Sequence, residues 1–127
     1  MRHSALRGLQ HLLMRFSSSY ESAIGGGSML VIAPHPDDES IGCGGLITLA
    51  RRLGVDVQIA FVPYGEASHR PQLIGPEKLK TIRRNEACEA AARLGVPETA
   101  LHFLGIPDGR VYDHGEEIVV AILKLVQ

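Results

Sequence analysis

The feature that most constrains the fold is a regular alternation of short apolar runs with helical patterns, which begins at Met29. Residues 29–33 form a continuous apolar run typical of a buried parallel strand. Residues 55–63 alternate in the way of a second strand, and residues 101–105 form a third short strand. Helical patterns follow them at residues 40–53, 76–94 and 116–126, and Gly54 and Gly95 close the first two. Strands that alternate with helices in this way are the signature of a parallel sheet with crossover helices. The sequence therefore predicts an α/β fold with a mostly parallel sheet.

The apolar spacing also predicts which face of each helix is buried. In the first helix this face comprises Ile41, Leu46, Leu49, Ala50 and Leu53. In the second it comprises Leu79, Ile82, Ala87, Ala90, Ala91 and Leu94.

Residues 1–28 differ from the rest of the chain and are predicted to form an amphipathic helical extension followed by a Gly/Ser linker. They carry a net charge of +2, whereas residues 29–127, the predicted α/β domain, carry −3. Leucines recur at helical spacing up to Phe16, and small residues follow at 17–19 and 25–28. Three interpretations stay open: a helix packed on the domain or a partner, a helix lying on a membrane surface through residues 1–20, or an organelle-targeting segment.

Composition narrows the class of protein. The 127 residues are 45% apolar with a net charge of −1, which argues against disorder and against a nucleic-acid partner. No run approaches the 18 apolar residues of a membrane span. Two cysteines, Cys43 and Cys88, are too few for a disulfide scaffold and favour a reducing, cytoplasmic setting.

The densest polar cluster, His35-Pro36-Asp37-Asp38-Glu39, directly follows the first predicted strand. Parallel sheets keep their ligands at this end of a strand. Three consecutive acids repel one another unless a cation or a helix amino terminus relieves them. Asp37 or Asp38 as a helix cap is the alternative interpretation, but a cap needs one acid. A histidine with three acids favours a divalent metal site that leaves one carboxylate for general-base hydrolysis.

These residues carry a family resemblance. Ala33-Pro34-His35-Pro36-Asp37-Asp38-Glu39, followed by Ile41-Gly42-Cys43-Gly44-Gly45, resembles the first motif of the PIG-L/LmbE-like deacetylases. Ile82-Arg83-Arg84-Asn85-Glu86 resembles the family's Arg-x-x-Glu helix, and Leu104-Gly105-Ile106-Pro107-Asp108-Gly109 resembles its third-strand loop. The resemblance implies a Rossmann-like three-layer sandwich. It also implies a zinc-dependent hydrolase that removes acetyl from N-acetylglucosaminyl groups of glycolipids or small glycosides.

The resemblance also implies roles for the residues of the first motif. His35 and Asp38 are metal ligands for Zn²⁺, although the same donors accept Fe²⁺ and other divalent metals. Asp37 is the general base that deprotonates a metal-bound water, which attacks the acetamide carbonyl. Glu39 orients His35 or the start of the helix.

The same resemblance implies that two further residues bind substrate. Arg83 reaches the sugar or its anionic substituent, and Asp108 binds a sugar hydroxyl. The alternatives are that Arg83 lies on a solvated helix face and that Asp108 is a turn residue before Gly109.

The sequence departs from the family pattern in one respect. A second motif, His-x-Asp-His-like, supplies family members with the third metal ligand, and the sequence reaches Gln127 without one. His114 is the late candidate in its place. The expectation is an amino-terminal portion of the enzyme, in which an unpaired sheet edge favours association between copies.

Two other functions compete with the hydrolase. The first is a catalytically inactive fragment or pseudo-enzyme that binds a sugar or a partner without turnover. The second is a nucleotide binder, but Gly42-Cys43-Gly44-Gly45 lacks the G-x-G-x-x-G spacing of dinucleotide sites.

Overall fold

The computed structural model describes residues 27–67 and 74–127. Three strands alternate with three helices, as predicted: β1 (Ser28–Ala33), α1 (Asp38–Arg52), β2 (Asp56–Phe61), α2 (Pro76–Arg93), β3 (Leu101–Phe103) and α3 (Gly115–Leu125). Short 3₁₀ turns precede β3 at Glu98–Ala100 and α3 at Val111–His114. The predicted helix and most of the linker in residues 1–28 lie outside the described residues.

The sheet is parallel, with strand order β1-β2-β3. Ala33 of β1 pairs with Phe61 of β2, which pairs in turn with Phe103 of β3. The carboxyl ends of all three strands therefore lie side by side. Open parallel sheets with crossover helices are Rossmann-like, so the predicted fold class is confirmed.

Three element boundaries differ from the prediction by two residues: the start of α1 and the ends of β2 and β3. β2 ends at Phe61 rather than at residue 63. α1 begins at Asp38 rather than at residue 40, because two acidic residues in its first turn suit the positive end of the helix dipole. β3 ends at Phe103 rather than at residue 105. Backbone hydrogen bonds continue from the Leu104 N–H to the Phe61 carbonyl and from the Ile106 N–H to the Val62 carbonyl, but Gly105 between them has φ 71°, which is not a strand conformation.

The core lies between α1 and the sheet and is built around Ile47, Val57, Ile59 and Phe61, all buried. The predicted buried face of α1 was wrong at its two ends. Ile41 is 83% exposed and Leu53 is 46% exposed. At 3.6 residues per turn, each of them lies about 120° around the helix from Ile47.

The buried faces of the two long helices are otherwise narrow. The buried residues of α1 are Glu39, Gly44, Ile47 and Ala50. Those buried in α2 are Leu79, Ala87 and Ala91, whereas the predicted Ile82, Ala90 and Leu94 are half-buried. Gly44 and Ala50 in α1 and Ala87 and Ala91 in α2 are small, and α1 lies directly on β1 and β2.

α3 contrasts with the other helices because none of its residues is buried. Val119, Val120 and Leu123 are each more than half exposed. A groove of 720 Å³ separates this helix from β3. No helix in the described ranges is long and apolar enough to cross a membrane.

Candidate metal centre at the carboxyl edge of the sheet

The turn between β1 and α1 brings His35 and Asp38 together. The His35 backbone N–H donates to Asp38 Oδ2 at 3.0 Å, and the Asp38 N–H donates to the His35 carbonyl at 3.3 Å. These two bonds close the turn around Pro36, which is buried. As a result, His35 Nδ1 lies 3.6 Å from Asp38 Oδ2, and both side chains are nearly half exposed.

This pair fits two positions of a metal site. In a tetrahedral zinc site with ligand bonds near 2.1 Å, two ligand atoms lie about 3.4 Å apart. The separation of 3.6 Å between His35 Nδ1 and Asp38 Oδ2 is close to that value. Within residues 27–67 and 74–127 no group of three or more His, Cys, Asp or Glu side chains is arranged to hold a metal ion. His35 and Asp38 would thus supply two ligands of such a site.

Asp108, from the loop after β3, holds the other nitrogen of the His35 ring. Its Oδ1 lies 3.2 Å from His35 Nε2 and also accepts from the Gly109 N–H, while its Oδ2 accepts from the Ala67 N–H at 3.0 Å. Burial raises the pKa of this carboxyl, but the hydrogen bonds from Ala67, His35 and Gly109 outweigh burial and lower the pKa below its ordinary value. An ionised carboxylate only accepts, so Nε2 is the donor in this contact.

The tautomer that follows suits metal binding. When Nε2 of His35 carries the proton, Nδ1, 3.6 Å from Asp38 Oδ2, keeps its lone pair and can bind a cation. Carboxylates commonly hold the second nitrogen of metal-binding histidines in this way. The predicted contact between Asp108 and a sugar hydroxyl stays a prediction. The structure does place Asp108 in a turn, where Gly109 adopts φ 77°.

Asp37 occupies the N-cap position of α1 in a strained conformation. Its φ of 125° is the only positive value among the described non-glycine residues. Its carbonyl accepts from the Ser40 and Ile41 N–H groups, but its carboxylate makes no capping hydrogen bond. Neither Asp37 nor Asp38 therefore caps the helix through its side chain. Backbone strain of this kind costs about 1–3 kcal/mol and clusters at functional sites.

Glu39 stabilises that strained backbone from inside the protein. The side chain is 1% exposed, and its Oε2 accepts from the Asp37 N–H at 2.9 Å. Its Oε1 accepts from the Ser40 hydroxyl at 2.6 Å. Glu39 was predicted to orient either His35 or the start of the helix, and its described contacts are with the start of the helix.

Arg83 reaches the site from α2. Its side chain is 19% exposed, so it does not lie on a solvated helix face. The Nη1 atom lies 3.8 Å from Asp37 Oδ2 and 3.9 Å from Glu86 Oε2. A small cavity of 170 Å³ lies between α1 and α2, with Asp37, Ile41 and Arg83 in its wall. The exposure of Ile41 is thereby explained in part, because its side chain borders this cavity.

Two residues alter the predicted set. His114 Nδ1 lies 2.9 Å from Glu117 Oε2 at the start of α3, and no metal-binding group within the described ranges includes His114. Glu66, in the loop after β2, was not predicted as a site residue. It contacts the Asp108 backbone 42 residues away, and only the parallel sheet topology, which aligns the loops after β2 and β3, could have suggested this.

Known proteins share this architecture. Residues 30–127 match the PIG-L family, described as GlcNAc-PI de-N-acetylase. The chain is 32% identical over 99 residues to the probable N-acetyl-α-D-glucosaminyl L-malate deacetylase 2 of Bacillus subtilis strain 168, an alignment that covers 76% of this chain and 44% of that protein.

Two solved structures share this fold. The N,N'-diacetylchitobiose deacetylase of Pyrococcus horikoshii superposes with a TM-score of 0.64 at 29% identity, covering 85% of this chain and 39% of that one. GalB of Pseudomonas putida KT2440, a 4-carboxy-2-hydroxymuconate hydratase, superposes with a TM-score of 0.57 at 26% identity, covering 65% and 35%. The chain spans less than half the length of these relatives. It belongs to the PIG-L family.

Proposed function

We propose that the chain carries the first half of the active site of a metal-dependent N-deacetylase, which hydrolyses the acetamide of an N-acetylglucosamine-type substrate, lipid-linked or small. The observation that carries this proposal is the placement of His35 Nδ1 3.6 Å from Asp38 Oδ2, with Asp37 directly before Asp38 in the chain. The names of the Bacillus and Pyrococcus relatives, both deacetylases of N-acetylated sugars, support the substrate class.

His35 and Asp38 would hold the metal, with zinc as the favoured ion because imidazole and carboxylate donors suit it. When bound, such an ion polarises the acetamide carbonyl and makes water a stronger nucleophile. His35 is oriented for this role by Asp108, and Asp38 by the His35 backbone N–H.

Asp37 is the proposed general base. Its carboxylate is 55% exposed and makes no capping bond, so it can accept the proton of the attacking water. The same group then protonates the leaving nitrogen as the C–N bond breaks, which yields acetate and the free amine. Glu39 holds the Asp37 backbone during both transfers.

Arg83 is the proposed substrate contact, because its guanidinium lies beside Asp37 at the wall of the small cavity. A sugar hydroxyl or an anionic substituent would bind there. Asp108 keeps its proposed contact with a sugar hydroxyl only through a lone pair that its present donors leave open.

The hydratase among the structural neighbours shows that this fold also supports another reaction. The family match and the Bacillus relative favour deacetylation over hydration. We also propose a reducing, cytoplasmic setting, which Cys43 and Cys88 support because neither is in a disulfide.

Acetate release from N,N'-diacetylchitobiose, measured with added zinc, tests the proposed function. Loss of the general base in Asp37→Asn is expected to lower the rate about 100- to 10,000-fold. Asp56→Asn is the matched control, since Asp56 begins β2 at the opposite edge of the sheet. A zinc-loaded, folded chain without turnover would instead support the binding protein without catalysis, and an active Asp37→Asn would contradict the assigned base.

A further inference from the structure

The loops after β2 and after β3 hold each other next to His35. Glu66 Oε1 accepts from the Asp108 N–H in a long contact of 3.4 Å, and the Ala67 N–H donates to Asp108 Oδ2 at 3.0 Å. Asp108 Oδ1 in turn lies 3.2 Å from His35 Nε2. A continuous path of hydrogen bonds therefore runs from Glu66 through Asp108 to the His35 ring.

The burial of Glu66 indicates that this placement is under constraint. Its side chain is 14% exposed, and Oε2 is the one buried side-chain nitrogen or oxygen atom in the described ranges without a hydrogen-bond partner. Leaving a buried carboxylate oxygen without a donor is unfavourable. A glutamate whose only role was to make the loop surface polar would be exposed to solvent.

The charge of Glu66 has a partner of its own. Lys80 Nζ lies 3.9 Å from Glu66 Oε1 and 3.1 Å from the exposed Glu77. Glu77 is the nearer carboxylate to this amine. Ion pairing with Lys80 and contact with Asp108 are thus two separable roles, because Glu77 shares the first and is not placed at the second.

We propose that Glu66 is a positioning residue, which fixes the Asp108 backbone so that the Asp108 carboxylate holds His35 in the tautomer with the proton on Nε2. Its role as part of a metal centre rests on the proposed function. Its effect on the His35 ring does not, since that effect is present without metal.

The test is the ¹⁵N spectrum of the His35 ring in the metal-free 127-residue chain at about pH 8.5, where histidine side chains are ordinarily neutral. Chemical shifts of Nδ1 and Nε2 report which nitrogen carries the proton. Wild type and Glu66→Gln, which keeps an acceptor oxygen, are expected to show the Nε2–H tautomer. In Glu66→Ala, and in Glu66→Asp, which keeps the charge but is too short to reach Asp108, the Nδ1–H fraction is expected to rise about threefold or more.

Glu77→Ala is the matched control, because it removes the other carboxylate from Lys80. We expect its His35 tautomer to equal that of wild type. An unchanged tautomer in folded Glu66→Asp would overturn the proposal, as would an equal shift in Glu77→Ala or in Glu66→Gln. Should Glu66→Ala not fold, the contrast between Asp and Gln at this position decides alone.

Zinc affinity provides a second readout that separates the two proposals. Direct partners of a metal-binding histidine typically change affinity 10- to 100-fold, so the more distant Glu66→Asp is expected to weaken zinc binding about threefold to tenfold. A tautomer shift in a chain that binds no zinc would support the positioning role and contradict the metal centre.

Discussion

Two regions of this chain are built in opposite ways: the β1–α1 turn, at the carboxyl end of the sheet, and α3, beside the β3 edge. At the β1–α1 turn, polar side chains are tied down one by one: Glu39 to the Asp37 backbone, Asp38 to His35, and Asp108 to the His35 ring. At the β3 edge, α3 keeps every residue at least partly exposed and faces a groove of 720 Å³. The first region contains a buried carboxylate, Glu39, and a strained residue, Asp37, whereas the second exposes apolar side chains to water.

The difference indicates where geometry is fixed. Buried polar contacts specify one arrangement, because each unmade bond is unfavourable in the interior. Apolar side chains that contact solvent do not specify any single arrangement. We therefore expect the candidate metal centre to be well ordered in the chain as it stands, and α3 to depend weakly on its present neighbours.

The largest expected contrast is in core packing. Ile47→Ala in α1 removes a fully buried side chain and is expected to lower the free energy of unfolding by about 2–5 kcal/mol. Leu123→Ala in α3, where the side chain is 51% exposed, is expected to change it by less than about 0.5 kcal/mol. Urea unfolding of both variants measures the contrast. A comparable loss in Leu123→Ala would show that the α3 face is covered in solution.

The second contrast concerns two glutamates at the same helical position. Glu39 and Glu116 are each the second residue of a helix, but Glu39 is buried and Glu116 is exposed. Glu39→Ala leaves the Asp37 N–H without its acceptor, so we expect a loss of about 1–3 kcal/mol. For Glu116→Ala the expected loss is about 0.5 kcal/mol or less. Equal losses in urea unfolding would mean that Glu39 acts only through the helix dipole.

The third prediction uses the strain at Asp37. Glycine tolerates φ 125°, so Asp37→Gly relieves strain while adding chain entropy to the unfolded state. The net expectation is a gain of up to about 1 kcal/mol in unfolding free energy together with loss of hydrolysis. Asp37→Ala keeps the strained backbone and is the control, since it should lose activity without gaining stability. A less stable Asp37→Gly would contradict the assignment of strain.

The smallest expected effect is a pH dependence from Asp108. Because hydrogen bonds lower the pKa of this carboxyl in the folded state, its contribution to stability is complete above the ordinary Asp pKa near 4 and is lost as the pH falls through the folded-state value. Unfolding free energies of wild type and Asp108→Asn, measured in chelator at neutral pH and at about pH 3, should differ more at neutral pH. A difference that grows in acid would have the wrong sign.

Much of the fold and the place of the site follow from local sequence patterns. The alternation of strands with helices is encoded in apolar runs, and parallel strands put the loop with His35 at the edge where ligands bind. The ends of the buried face of α1 were predicted wrongly because helical spacing does not tell how far the sheet extends beside Ile41 and Leu53.

The contacts that complete the site could not be predicted from local patterns. Asp108 and His35 are 73 residues apart in sequence, and their contact depends on three strands ending together. Asp37 has a positive φ at the start of the helix, where its N–H donates to Glu39. The general preference of aspartate for turns does not predict this backbone conformation. Glu66 has the same character, because its role depends on the loop after β3.

Zinc calorimetry on the chain and on His35→Ala, Asp38→Ala and Asp56→Asn tests the central claim most directly. The account predicts measurable binding, with a Kd of about 100 μM or tighter, in the chain and in Asp56→Asn, weakened at least about tenfold in each of the other two variants. A folded chain that binds no zinc, or binding that both His35→Ala and Asp38→Ala leave intact, would contradict the metal centre at the β1–α1 turn.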